Sequence, residues 1–369
     1  MNPATIEGPG VRLRLFRPTD VADITAGCAD PLTQRFMDGL PHPYTEADAR
    51  WWVAEGAPAT FAGGGAAYAI ADPDTDRLLG TVGLSNLVAP RSQAEIGYWV
   101  APWARGRGVA TAATRALAGH AFATGTARLE LLTSVDNAAS QRVALAAGFR
   151  PEGVRRAASP VRGGGRRDLT VWVRLADDPP GATPRLLPDL PEGRLTDGVV
   201  VLRALGPADA DEMFRLHSDA EVVASRVPPE PPTREAMARY CQEAQGQWLV
   251  GKLAPMAILD ATSGAVAGNC AVILDQPANQ AMIGYSLSPQ WRGRGYATRT
   301  VRLLAGWGFA HVGLARLWAG TLPENVASQR VLERAGFRYE GLLRGRLPGA
   351  VGTRADSTVF GLLPGDLTD

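Results

Sequence analysis

Residues 96–110 read Ile-Gly-Tyr-Trp-Val-Ala-Pro-Trp-Ala-Arg-Gly-Arg-Gly-Val-Ala, and residues 283–297 read Ile-Gly-Tyr-Ser-Leu-Ser-Pro-Gln-Trp-Arg-Gly-Arg-Gly-Tyr-Ala. Nine of the fifteen positions are identical. Further along, Asn137-Ala-Ala-Ser-Gln-Arg-Val-Ala-Leu-Ala-Ala-Gly-Phe149 matches Asn325-Val-Ala-Ser-Gln-Arg-Val-Leu-Glu-Arg-Ala-Gly-Phe337 at nine of thirteen positions. The offset moves only from 187 to 188 residues between the two matches. Collinear matches of this kind mean a tandem duplication, at a period far longer than that of a solenoid.

Around these blocks each half shows the same coarse order. A strand near 11–17, or near 199–203, leads to a helix start at Pro18-Thr-Asp or Pro207-Ala-Asp. A Pro-rich loop follows, then a second helix from about Thr45 or Thr233. Three strands come next, at 67–72, 78–84 and 94–101 in the first half and 255–260, 265–274 and 281–288 in the second, with turn residues between them. A helix opens in each Arg-Gly-Arg-Gly segment, and a strand follows at 129–134 or 317–322. The next helix runs from Asn137 or Asn325 to Gly148 or Gly336, each placed for a left-handed C-cap. One or two strands close each half. The expected fold is α/β, with two tandem domains, each a mixed, mostly antiparallel sheet flanked by helices. The predicted domains are 1–178 and 195–369, joined by a Pro-rich linker at 179–194.

Composition narrows the function classes. An apolar share of 46% with 20% charged residues describes a chain with real cores, which excludes disorder throughout. The net charge is +1 and acids balance bases in each half, so there is no strong nucleic-acid signal. Cys28, Cys241 and Cys270 form no CxxC or Cys/His ligand spacing, so neither a disulfide framework nor a metal is expected. The longest uncharged apolar run, 303–315, is short of the roughly 20 residues a bilayer span needs. The N-terminus lacks a signal-peptide pattern, and a cytoplasmic location is expected. Self-association is left open.

The chemistry points to the glycine-rich turns. Arg105-Gly106-Arg107-Gly108-Val109-Ala110 and Arg292-Gly293-Arg294-Gly295-Tyr296-Ala297 each follow a strand and open a helix. Small residues there let backbone N–H groups converge, and the helix start adds partial positive charge, a combination that binds phosphate oxygens. A dinucleotide fingerprint needs Gly or Ala three residues after the second glycine, where Thr111 and Thr298 stand. A P-loop needs Gly-Lys-Ser/Thr, which neither half has.

The sequence resembles the GNAT superfamily of acyl-CoA-dependent N-acetyltransferases, whose phosphate loop reads Gln/Arg-x-x-Gly-x-Gly/Ala. Arg105, Gly108 and Ala110 match it, as do Arg292, Gly295 and Ala297. Glu95-Ile-Gly-Tyr-Trp, the Asn-x-x-Ser-x-Arg blocks and the Leu40-Pro-His-Pro-Tyr-Thr-Glu loop are similar to the branch that acetylates the N-termini of ribosomal proteins. The resemblance covers nearly the whole chain. It implies acetyl-CoA as cosubstrate, held by backbone amides of Arg105–Ala110 and Arg292–Ala297. It implies that Asn137 and Asn325 bond the pantetheine or adjoining backbone, and that Ser140 and Ser328 stand near the thioester sulfur and protonate the leaving thiolate. It implies, as acceptor, an amine on a small molecule, a peptide or a protein N-terminus.

Direct attack of an amine on the thioester needs a proton acceptor, and Glu95 is the best candidate. On an alternating strand it shares a face with Gly97 and Trp99, opposite Ile96, Tyr98 and Val100. The aligned residue in the second half is Met282, which takes no proton, so Asp275 or His217 is the fallback there. The alternative reading is a catalytically silent acyl-CoA-binding or scaffold protein, at least in the C-terminal half. His42, His120 and His311 show no ligand spacing, Trp51-Trp52 reads as core, and Arg155, Arg156, Arg162, Arg166 and Arg167 read as a solvated hairpin.

Overall fold

The computed structural model describes residues 3–275, 279–349 and 352–367. The chain divides between Pro184 and Arg185 into two compact units. In the first, strands β1 (Ile6–Gly8), β2 (Val11–Arg14), β3 (Ala66–Ala71), β4 (Leu78–Val88), β5 (Gln93–Val100), β6 (Arg128–Ser134), β7 (Arg150–Pro160) and β8 (Arg166–Leu175) form one sheet. Their spatial order is β1-β2-β3-β4-β5-β6-β8-β7. Helices α1 (Val21–Ala29), α2 (Pro31–Phe36), α3 (Glu46–Trp51), α4 (Ala57–Ala62), α5 (Val109–Ala123) and α6 (Ala138–Ala146) complete the unit.

The second unit repeats this plan. Its strands are β9 (Arg194–Thr196), β10 (Val200–Ala204), β11 (Leu253–Asp260), β12 (Val266–Asp275), β13 (Gln280–Leu287), β14 (Arg316–Thr321), β15 (Arg338–Pro348) and β16 (Arg354–Leu362), in the matching order. Its helices are α7 (Ala210–Ser218), α8 (Ala220–Ala224), α9 (Arg234–Leu249), α10 (Tyr296–Trp307) and α11 (Val326–Arg334). In both sheets one central pair is parallel, β5 with β6 and β13 with β14, and the other pairs are antiparallel.

Strand alternation builds the cores. Along β11, Met256 and Ile258 point to one face, where Val301 and Leu304 of α10 cover them. Ala257 points to the other face, against Met213 and Leu216 of α7 and Met237 of α9. The first unit packs Val21, Ile24 and Ala49 against Trp99 in the same way. A forked guanidinium fixes the entry to the first helix each time: Arg14 holds Asp20 at 2.8 and 2.9 Å, and Arg203 holds Asp209 at 2.9 and 2.6 Å.

The fold class matches the reading from sequence, with differences in detail. The edge strands β1 and β9 and the short helices α2 and α8 were not foreseen. Both short helices are capped by an aspartate, Asp30 or Asp219, which accepts from the first-turn N–H groups. The helix after Thr45 is interrupted by a wide turn at Trp52–Gly56, whereas α9, capped by Thr233, is continuous. The Pro-rich stretch 179–194, expected as a linker, is packed in part. Leu187 and Leu190 are buried in the second unit's core, and the Trp248 indole N–H donates to the Pro188 carbonyl at 3.0 Å.

Gly148 and Gly336 end α6 and α11 with φ of +86° and +94°. A Cβ at Gly148 would stand 2.7 Å from the Gly181 carbonyl oxygen, and one at Gly336 would stand 2.9 Å from that of Asp366. Left-handed backbone and a rigid neighbour act together here. Gly148→Ala and Gly336→Ala are each expected to cost about 1–3 kcal/mol, measured by chemical denaturation. A neutral result at either position would contradict this packing.

Candidate active site

Parallel pairing of β5 with β6 covers only Gln93–Glu95 against Arg128–Glu130, although β5 runs on to Val100. In the second unit β13 pairs with β14 only from Gln280 to Met282 and continues to Leu287. Each sheet therefore opens a cleft between its two parallel strands at the same register. The chain leaves β5 through a short turn at Pro102–Ala104 and enters α5 across Gly106 and Gly108, at φ +72° and +76°. Gly293 and Gly295 repeat this at +74° and +79°.

The first bonds inside these helices run from Ala112 N–H to the Gly108 carbonyl and from Arg299 N–H to the Gly295 carbonyl. The N–H groups of Val109, Ala110 and Thr111, and of Tyr296, Ala297 and Thr298, precede them and have no helical acceptor. No atom lies within 4 Å of where a Cβ would stand on Gly106, Gly108, Gly293 or Gly295. Internal crowding does not demand glycine here. Positive φ does, and the result is an open ring of donors suited to an anion.

The flanking arginine side chains face the protein. Arg105 donates to the Val100 carbonyl at 3.2 Å, to Asp30 at 2.5 Å and to the Thr33 hydroxyl at 2.9 Å. Burial works to raise the Asp30 carboxyl, but bonds from Arg105 and Thr33 outweigh it and hold the group below its ordinary range. Arg292 likewise bonds the Leu287 carbonyl at 3.3 Å and Glu221 at 2.7 Å. Arg107 lies 3.9 Å from Asp72, and Arg294 stacks over the Trp291 ring at 5.2 Å. These contacts hold each loop to its own unit and leave the backbone donors for a ligand.

Asn137 and Asn325 are the N-caps of α6 and α11, accepting from Ser140 N–H and Ser328 N–H at 3.1 Å each. That capping fixes both serines in the first turn. The Ser140 Oγ lies 2.8 Å from the Tyr98 hydroxyl, and the Ser328 Oγ lies 2.8 Å from the Tyr285 hydroxyl. Both tyrosines sit three residues beyond the point where the parallel strands part. Both belong to the repeated Ile-Gly-Tyr, whose spacing alone does not reveal the serine each one meets. In the second unit a cavity of about 590 Å³ joins cradle to hydroxyl pair, lined by Tyr285, Ser286, Gly295, Ala297, Asn325 and Ser328. A larger hollow of about 840 Å³ lies along α10, lined by Leu195, Leu303 and Trp307; it borders Gly295, and neither Tyr285 nor Ser328 lines it.

Glu95 is the last residue of β5 paired with β6, and its carboxylate accepts from the Asn86 amide at 3.0 Å. It lies on the β5 face shared with the buried Trp99, opposite the face from which Tyr98 meets Ser140. Its parallel neighbour is Glu130, a buried carboxylate bonded by Arg128 at 3.0 Å and Arg155 at 2.6 Å. Met282 and Trp318 occupy the two equivalent positions in the second unit.

Neither fallback base fits well. The Asp275 carboxylate accepts from the Gln280 amide at 2.8 Å, at the outer end of β12. The His217 Nδ1 is 3.0 Å from an Arg226 guanidinium nitrogen, which carries only protons to donate, so the imidazole's lone pair is already engaged. Burial and the Arg226 charge push His217 down to about 4, against a smaller opposing effect of Asn269.

Two other expectations change. Trp52 packs on the core, edge-on to Phe16, but Trp51 is 57% exposed. The arginine hairpin is not simply solvated. Arg155 reaches Glu130, Arg162 bonds Gln34 and the Leu40 carbonyl, Arg166 bonds the Ala157 and Ala158 carbonyls, and Arg167 pairs with Asp38 at 3.2 Å. Arg162 and Arg167 thereby hold the loop at the mouth of the first unit. Among the described residues no group of three or more His, Cys, Asp or Glu is placed to hold a metal, and no helix is long and apolar enough to cross a membrane.

A family model described as an acetyltransferase (GNAT) domain matches residues 11–150 and again 200–338, well over half of the chain. The chain belongs to this family. It is a tandem GNAT acetyltransferase, and each match contains one cleft and one cradle. It is 32% identical over 166 residues to the "Uncharacterized N-acetyltransferase p20" of Bacillus licheniformis, covering 44% of this chain and 92% of that protein. It is 45% identical over 64 residues to the "Probable N-acetyltransferase YjcK" of Bacillus subtilis (strain 168), covering 17% of this chain and only 35% of that protein. Among solved structures, Mycobacterium smegmatis RimJ in complex with CoA-disulfide aligns at 24% identity and a TM-score of 0.43, covering 48% of this chain and 87% of that one.

His217 supplies a pH test. Its folded pKa, about 4, lies below the unfolded value of about 6.5. The unfolded chain therefore binds more protons between pH 6.5 and 4, and stability falls as pH drops through that window. Full depression is worth on the order of 3 kcal/mol, fully lost below pH 4. His217→Gln is expected to flatten that part of the second unit's stability profile relative to the unaltered chain. Superimposable profiles from pH 7 to 4 would contradict it.

Proposed function

We propose that the chain is an acetyl-CoA-dependent N-acetyltransferase for a primary amine, with turnover in the first unit and acetyl-CoA binding in both. One observation carries this reading. Both units have the cradle, the capping asparagine and the tyrosine–serine pair, but only the first has a carboxylate where the parallel strands part. Backbone amides of Arg105–Ala110 and Arg292–Ala297 hold the pyrophosphate, and Asn137 and Asn325 hold the approach of the pantetheine. The amine attacks the thioester carbonyl directly in a ternary complex, with Glu95 taking the amine's proton directly or through water. The C–S bond breaks with its electron pair on sulfur, and Ser140 supplies the proton to the thiolate.

The acceptor is a peptide or protein N-terminus, or the amine of a small molecule such as an antibiotic. The mouth of the first unit is shaped by the Leu40-Pro-His-Pro-Tyr loop under Arg162 and Arg167. The second unit has Val227-Pro-Pro-Glu-Pro-Pro at that place, so the two units do not share an acceptor. A silent second unit, bearing Ser328 without a base, is the reading that Met282 favours.

Calorimetric titration with acetyl-CoA is expected to give two sites per chain, falling to one with Gly108→Glu or Gly295→Glu. Both glycines border open space, so the added carboxylate meets no neighbour and repels phosphate, while its β-carbon also strains the positive-φ turn; both effects disable the cradle. No binding at all would overturn the reading. Glu95→Gln is expected to lower kcat about 10²–10⁴-fold at neutral pH with acetyl-CoA affinity nearly unchanged. The deficit shrinks at high pH, where the amine loses its proton unaided. Full activity of Glu95→Gln at pH 7 would remove Glu95 from its role.

A further inference from the structure

The tyrosine–serine pair is a side-chain arrangement that both units keep inside their clefts. Tyr98 lies 2.8 Å from the Ser140 Oγ and 3.4 Å from the Ser140 carbonyl; Tyr285 lies 2.8 Å from the Ser328 Oγ and 3.3 Å from the Ser328 carbonyl. The shorter distance is typical of an O–H···O bond, in which either hydroxyl can donate, and the longer one exceeds that range. The phenol is the more acidic O–H of the two and is assigned as the donor to the serine Oγ. A hydroxyl that accepts in this way keeps its own proton for a second partner. Burial raises both phenols far above neutrality, with the bond to serine opposing, so each stays a neutral O–H.

We infer that Tyr98 is a positioning residue for acetyl transfer, aiming the Ser140 O–H at the departing CoA sulfur and making it a better donor. The inference rests on the proposed reading of Ser140. Two features of the fold support it. The asparagine cap fixes the serine backbone in the first helical turn, leaving the hydroxyl rotor as the remaining freedom, and the phenol removes that freedom. The pair also persists in the second unit, where Glu95 has become Met282. It therefore goes with the thioester side of the cleft, independent of deprotonation of the amine. In the reaction the N–C bond forms and the C–S bond breaks, the amine's proton passes to Glu95, and the sulfur's proton comes from Ser140. As Ser140 gives up its proton, the Tyr98 O–H stabilises the charge that develops on Oγ and can pass its own proton to it, and exchange with water restores Glu95, Ser140 and Tyr98.

Tyr98→Phe keeps the ring and removes the hydroxyl. With acetyl-CoA, kcat is expected to fall about 10–10²-fold, the range of one lost transition-state hydrogen bond, with KM for acetyl-CoA unchanged. With an acetyl thioester of a far more acidic thiol, whose thiolate leaves without a proton, the deficit disappears. A loss of packing alone would slow both donors equally. The Tyr98→Phe/Ser140→Ala double variant is expected to be no slower than Ser140→Ala. Replacing Tyr98 by 3-fluorotyrosine, which acidifies the phenol at nearly constant shape, is expected to change the acetyl-CoA rate and leave the acidic-thiol rate alone, so the inference stays testable if the phenylalanine variant folds poorly. Equal rates for both Tyr98 variants and the unaltered chain, or equal deficits with both donors, would overturn it. An unaltered chain without transfer to any amine would instead overturn the proposed function.

Discussion

Everything at the candidate site depends on two parallel strands that separate after three paired residues. Continued pairing of β5 with β6 would close the sheet and leave no room between Tyr98 and the start of α6. The separation opens a cleft beside a helix whose first N–H groups have no acceptor. An anion at that helix start supplies what the backbone lacks. The positive φ of Gly106 and Gly108 turns those donors toward one point, and the tethers from Arg105 to Asp30 and Thr33 keep the turn in place.

Duplication makes the molecule its own control. On the proposed function, features present in both units serve the cofactor and its thioester, and features present in one serve acceptor choice or deprotonation of the amine. Glu95 and Glu130 become Met282 and Trp318. Trp99, whose ring covers Gly27 so closely that a Cβ there would stand 2.5 Å away, becomes Ser286, which lines the second unit's cavity. The second unit thus has no carboxylate at these two positions and a serine where the first has a buried tryptophan, while the cradle and the hydroxyl pair are kept.

Much of this was legible in the sequence because the repeated blocks carry the local signals themselves. Positive-φ glycines at a strand-to-helix turn, an asparagine cap and a C-terminal glycine are short-range patterns, and reading them twice removes chance. Long-range partners were not legible. Tyr98 reaches a serine 42 residues away, and Arg162 reaches Gln34 across 128 residues. No periodicity encodes such contacts, so the arginines read as a solvated hairpin and the strand pattern assigns the tyrosine a face but no partner. The short helices α2 and α8 did have a local signal in their capping aspartates, which the surrounding prolines obscured.

On the proposed function, two equivalent cradles serve unequal units. The direct test is steady-state acetylation of an amine by Gly108→Glu and Gly295→Glu, each of which blocks one cradle. Gly108→Glu is predicted to abolish transfer, and Gly295→Glu is predicted to keep kcat close to that of the unaltered chain. Full activity of Gly108→Glu with loss of transfer in Gly295→Glu would contradict the account and place the chemistry in the unit that lacks the carboxylate.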